Sequence, residues 1–126
     1  MKNIIALLVF LVCLSGFSSA KAGDEPRLKT YYLVLLKKGP QRDQDSVTVG
    51  KIMEGHMAHL NKMAADKKIC IAGPVASDMT LRGICIYTTD TKEEAQKLAD
   101  SDPAVIAGRL IAEVIPWMSE SGNCLP

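Results

Sequence analysis

Apolar and polar positions follow two rhythms along this chain, and the switches between them mark its elements. Leu28 to Lys37 reads as a strand, with Tyr31, Tyr32, Leu33, Val34, Leu35 and Leu36 supplying β-favouring side chains until Gly39-Pro40 stops it. Gln41 to Asp45 is polar, and Ser46 is the predicted N-cap of the first helix. Between Val49 and Lys67 the period becomes helical: at about 100° per residue, Val49, Met53, Leu60 and Met63 fall within roughly 40° of one line. Lys62, Lys67 and Lys68 suit the negative end of that helix. Ile69 to Ala72 is a short strand ended by Gly73-Pro74, and Leu81 to Thr88 is the next, carrying Ile84, Cys85, Ile86 and Tyr87. The polar loop between them, 75–80, makes the two antiparallel. Asp90-Thr91-Lys92-Glu93-Glu94 opens a second helix, capped by Asp90 or Thr91, with Ala95, Leu98 and Ala99 on its apolar face. Asp102-Pro103 starts a short helix over Ala104 to Ala107, Gly108 closes it, and Arg109 to Trp117 is the last strand.

The order β-α-β-β-α-β is the ferredoxin-like arrangement, an α+β fold with one antiparallel sheet and two helices on one of its faces. The other face needs cover as well. In a chain this short the simplest cover is a second copy, so the pattern predicts a homodimer packed sheet to sheet, a dimeric α/β barrel.

The first residues belong to a different class of segment. Lys2 is a short positive region, Ile4 to Leu14 is almost unbroken apolar sequence, and Ser15 to Ala22 is small and polar. Ser18-Ser19-Ala20 and Ala20-Lys21-Ala22 both fit a small-x-small cleavage site. About eleven apolar residues fall short of the roughly twenty that span a membrane, so residues 1–22 read as a cleaved secretory signal. Gly23 to Arg27 is then a flexible leader, 28–118 the domain, and 119–126 a tail. Removing Lys2 and Lys21 brings the net charge from +1 to about −1. The absence of a basic run leaves nucleic-acid binding without an electrostatic footprint. After signal cleavage nothing in the chain is long and apolar enough to hold a membrane. Export to a periplasm or the outside places Cys70, Cys85 and Cys124 in an oxidising setting. Cys70 and Cys85 are either a cross-strand disulfide or two small buried hydrophobes. C-x-x-C spacing is absent, so the cysteines give metal binding little support.

One residue breaks the helical stripe. His56 lies on the same line as Met53 and Leu60, one turn from each. An imidazole in a core-facing row is costly to desolvate unless it has a partner or a chemical role. His59 lies about 60° to one side, near a pocket mouth; H-x-x-H without an intervening glutamate is a weak metal signal. Met53, Met57 and Met63 stand at helical spacing as core residues rather than a copper site.

Gly55-His56-Met57-Ala58 with Leu60, Ala72-Gly73-Pro74, Arg82-Gly83-Ile84, Glu94-Ala95, Asp102-Pro103-Ala104-Val105, Gly108-Arg109-Leu110 and Pro116-Trp117 together resemble the YCII-related (YciI-like) family. The likeness runs from about Leu28 to Trp117. It implies a dimeric ferredoxin-like barrel, and a catalytic histidine and aspartate that fall on His56 and Asp102. Proteins of similar fold include muconolactone isomerase and a lyase that removes chloride from a chlorinated hydroxyquinol. The chain departs from the family in its export signal, where many relatives look cytoplasmic. It departs again at Asp66-Lys67-Lys68, where relatives often end the helix with glycine.

Taken with the residues, the resemblance gives each candidate two readings. Asp102 before Pro103 is a common helix cap, and its carboxylate has acceptor sites enough to orient His56 as well. Gly73 and Pro74 are a turn, or a close backbone approach to an anionic ligand with Asp78 nearby as a reserve carboxylate. Arg82 and Arg109 are strand-end charges, or hold a substrate carboxylate. Trp117 suits a dimer interface. The leading expectation is an exported enzyme of lyase or isomerase type. It would use His56 as base and Asp102 as orienter, with no cofactor or metal, on a small molecule bound by Gly73, Pro74, Arg82, Arg109 and His59. The alternative is a non-catalytic ligand- or partner-binding module, and a weaker one is a redox or metal role for Cys70, Cys85 and His59. An open cavity beside His56 would favour chemistry or ligand binding over a purely structural histidine.

Overall fold

The computed structural model describes residues 28–77 and 79–122. The predicted signal and leader, Asp78 and Cys124 lie outside the described residues. The elements run β1 (Leu28–Lys38), α1 (Ser46–Ala65), β2 (Ile69–Pro74), β3 (Leu81–Tyr87), α2 (Lys92–Asp100), α3 (Pro103–Ile106) and β4 (Leu110–Glu120). All pairings are antiparallel and the sheet order is β2-β3-β1-β4, the predicted ferredoxin-like topology.

Local chemistry sets most boundaries and corrects several. α1 is capped by Asp45 rather than Ser46: the Asp45 carboxylate accepts from the Thr48 backbone amide at 3.0 Å and from the Thr48 hydroxyl. Those bonds hold its carboxyl below the usual range. α2 is capped by Thr91, which accepts from Glu94 N, while Glu94 reaches back toward the Asp90 amide. α1 ends at Ala65, and Lys67 takes the left-handed φ of 58° that a glycine would adopt without cost. β4 extends to Glu120 because β1 offers it a partner throughout, from Lys38 opposite Leu110 to Leu28 opposite Glu120. Backbone pairing decides that end, where side-chain hydrophobicity alone suggested a stop at Trp117. β2 likewise includes Gly73 and Pro74, opposite Ile84 and Gly83. Proline is tolerated there because β2 is an edge strand.

Alternation along the strands separates the two faces. Tyr32, Val34 and Leu36 of β1, Cys85 and Tyr87 of β3, and Leu110 and Val114 of β4 form the core with Met63, Ala95, Ala99 and Ala104 from the helices. The opposite face carries Tyr31, Leu33, Leu35, Ile84, Ile86, Ile115 and Trp117 in register across β3, β1 and β4. Trp117 and Ile115 are exposed there, and Tyr31 lies beside Trp117 with ring centroids 6.2 Å apart. The Lys37–Glu113 ion pair sits on this same face. Val34, 1% exposed, lies between Cys85 and Val114 at the centre of the core. Val34→Ala should therefore lower unfolding stability by about 2 kcal/mol, read as a reduced urea midpoint at unchanged slope.

Candidate functional site

The site is built from two helices that meet at their polar residues. α3 is one turn long and is held by its cap: Asp102 Oδ1 accepts from Ala104 N at 2.8 Å, and its backbone carbonyl accepts from Val105 and Ile106. Pro103 fills the first helical position, where its missing N–H costs nothing. The second carboxylate oxygen, Oδ2, accepts from His56 Nδ1 at 2.6 Å across 46 residues of sequence. His56 and Asp102 are 7% and 2% exposed. A carboxylate offers only acceptors, so Nδ1 carries the proton of this bond, and in the neutral ring the lone pair falls on Nε2. Among the described residues no protein group bonds that nitrogen.

His56 is also part of the wall of a cavity of about 600 Å³ between α1 and the β2–β3 side of the sheet. Asp102 stands behind the ring and outside the cavity lining. Leu36, Leu60, Ile69 and Leu110 make the walls apolar, and Met53 and Met57 stand at the mouth, 37% and 51% exposed. Of the three helical methionines only Met63 is core; the hollow runs along the flank of α1 that carries Met53, Met57, Leu60, Asn61 and Ala64, so Met53 and Met57 face it instead. Gly73, Pro74 and Arg82 line the cavity as well. A side chain built at Gly73 would meet nothing within 4 Å, so this glycine leaves room.

Two of the predicted site residues are elsewhere. Arg109 donates from its guanidinium to Gln44 Oε1, and its carbonyl accepts from the Gly39 amide and from Arg42. It fastens the β1–α1 loop to the turn before β4. That turn is tight enough that a side chain at Gly39 would strike the Gly108 carbonyl. His59 is turned toward the Leu98 backbone and away from the cavity, as its 60° offset from His56 on the helix allows. Its Nε2 is buried without a hydrogen-bond partner among the described residues. Burial pulls its pKa below the ordinary 6.5, with the Asp102 charge opposing and the His56 charge assisting.

No disulfide joins Cys70 and Cys85. The ladder slips between Ile69 and Ile71, placing Ala72, not Cys70, opposite Cys85, while the Cys70 thiol donates to the Ile86 carbonyl. Both line the cavity. Burial, then the Asp102 charge, pushes the Cys85 thiol up to about 12, so it remains protonated and is no nucleophile at neutral pH. Tyr87 is raised too, by burial first and then by the neighbouring Cys85 and Asp102. Asn61 is a lining residue that sequence reasoning passed over. Asn61 follows Leu60 off the apolar line, and only the position of β2 shows that its side of the helix meets the hollow. Among the described residues, no group of three His, Cys, Asp or Glu side chains is placed to hold a metal ion, and no helix is long and apolar enough to cross a membrane.

Residues 30–118 match the YCII-related domain, well over half of the chain. The chain belongs to the YCII-related family. A solved structure of similar fold is the 5-chloro-2-hydroxyhydroquinone dehydrochlorinase of Burkholderia phenoliruptrix, in complex with 2,5-dihydroxybenzoquinone. It is 22% identical, with a TM-score of 0.53, over 69% of this chain and 92% of that one. At that identity the likeness is one of fold. No curated protein matches the chain.

The lowered pKa of His59 has a sign that can be checked. The folded state resists the proton that the unfolded chain accepts near 6.5, so stability is full above that pH and falls as the pH drops below it. His59→Gln should show a shallower loss of Tm between neutral pH and about one unit below 6.5 than the parent chain.

Proposed function

We propose that this YCII-related protein is a small-molecule enzyme of lyase or isomerase type, with His56 as general base and Asp102 as its orienting partner. One observation carries the reading: a buried imidazole has one nitrogen fixed by a buried carboxylate and stands in the wall of an open cavity. A sealed, fully bonded histidine would have pointed to structure alone. Nε2 takes a proton from a carbon next to a carbonyl, or from a hydroxyl. The electron pair left behind moves onto the adjacent oxygen or expels a leaving group, and Asp102 stabilises the imidazolium formed. The apolar walls suit a small cyclic compound, Gly73 and Pro74 leave space for it, and Arg82 supplies positive charge for a developing oxyanion. His59 and Arg109 have no part in this step.

The acting unit in this reading is a homodimer. The apolar outer face of the sheet supports it, being larger and more continuous than scattered surface hydrophobes would be. The reading also has the protein exported, on the strength of Lys2 and the apolar run after it.

Chlorinated and hydroxylated hydroquinones are the first compounds to try, since the fold neighbour is a dehydrochlorinase of that class. On a compound that is turned over, His56→Ala should lower kcat by about 10²–10⁴-fold. Asp102→Asn should lose a comparable factor through the wrong tautomer. A His56→Ala protein with undiminished turnover ends the catalytic reading. Tight ligand binding that survives this change, without turnover in the parent chain, identifies a binding module. Light scattering tests the assembly: the parent chain should run as a dimer and Leu33→Glu as a monomer, with a parent monomer removing the proposal.

A further inference from the structure

Each member of the dyad has a neighbour in sequence at the point where α1 meets α3. Gly55 precedes His56, and Pro103 follows Asp102. A Cβ added at Gly55 would lie 3.1 Å from Pro103 Cβ and 3.2 Å from Pro103 Cγ, closer than side-chain carbons ordinarily approach. The other glycine of this helix is different, because a Cβ at Gly50 would meet nothing within 4 Å. Glycine inside a helix costs about 1 kcal/mol relative to alanine, so each needs a compensating gain or none at all. At position 50 the structure shows none; at position 55 it shows a helix–helix contact.

We propose that Gly55 is a positioning residue for the dyad: its bare backbone lets α1 rest on Pro103 at the separation where His56 Nδ1 reaches Asp102. The neighbour cannot yield easily. Pro103 is a closed ring with no χ1 rotation to move it aside, and it is bonded directly to Asp102. Asp102 is tied to its own helix through Ala104, Val105 and Ile106. The turn beyond α3 is held in place by bonds from Gly39 and Gln41 to the carbonyls of Arg109 and Gly108. A methyl group at position 55 therefore drives the two helices apart by a few tenths of an ångström. The 2.6 Å bond that spans them absorbs the movement. The consequence for rate rests on the proposed catalytic role, whereas the geometry can be tested without any substrate.

The test is proton and ¹⁵N magnetic resonance of the full chain labelled at histidine, comparing Gly50→Ala, Gly55→Ala and the double change Gly55→Ala with Pro103→Gly. The His56 Nδ1 proton should resonate far downfield in the parent chain, as a short bond to a carboxylate requires. Gly50→Ala should leave it in place. Gly55→Ala should move it upfield and speed its exchange with water, and the double variant, in which the obstructing ring is gone, should restore it. On a substrate that is turned over, kcat of Gly55→Ala should fall about tenfold with KM nearly unchanged. A folded Gly55→Ala protein with an unmoved Nδ1 proton overturns the proposal. Should Gly55→Ala be too unstable to record, the double variant decides: a parental signal supports it and a displaced one overturns it. Neither result depends on whether His56→Ala abolishes turnover, so this proposal and the catalytic reading fail separately.

Discussion

Asp102 is almost entirely removed from water, and a carboxylate in that position would be strongly destabilising if either oxygen lacked a partner. Each oxygen has one. Oδ1 closes the first turn of α3, and Oδ2 accepts the Nδ1 proton of His56. The single side chain thereby joins the middle of α1 to the segment leading into β4, although 46 residues separate the two partners. It also explains how a four-residue helix persists, since α3 has too few internal hydrogen bonds to form without its cap and its contacts with α1. Helix cap and imidazole orientation share this carboxylate, so a change at Asp102 disturbs both together.

Much of this was legible in the chain because the relevant signals are local. The strand alternation of Tyr31 to Leu36, the helical row from Val49 to Met63 and the cap at Asp102 each follow from spacings within a few residues, and together they specify a ferredoxin-like order. His56 announced itself as a polar residue in an apolar row. What sequence could not give was direction beyond the element itself. The row that contains His56 borders a hollow along one flank, through Met53, Leu60 and Ala64, and core along the other, so identical periodicity places Met53 at an opening and Met63 inside. His59 and Arg109 lie outside the cavity lining for a related reason. Adjacency in sequence to His56 or to the last strand says nothing about which way a side chain turns: His59 faces the Leu98 backbone with its Nε2 unbonded among the described residues, and Arg109 reaches Gln44, both away from the cavity.

The cysteines illustrate the same limit at the level of register. Cys70 and Cys85 lie on adjacent strands, as the pattern indicated, but one slip in the β2–β3 ladder shifts their pairing and aims their sulfurs differently. Helix ends depended on choices between neighbouring caps, Asp45 against Ser46 and Thr91 against Asp90, which side-chain geometry settles and propensity does not. Lys67 shows that a favoured residue can be absent while the conformation remains: the chain turns there with φ at 58° although no glycine is present.

The outer surface of the sheet is oily over its middle, with Lys29 over the Tyr31 ring at one end and the Lys37–Glu113 pair at the other. Any molecule laid flat over that surface either leaves those two charges at its margin or brings polar groups of its own to match them, because sealing an ion pair without further bonds costs several kcal/mol. Greasy contacts alone are indifferent to rotation and sliding. This pair is not, and it acts as a registration mark, restricting the orientations in which the face accepts a covering surface.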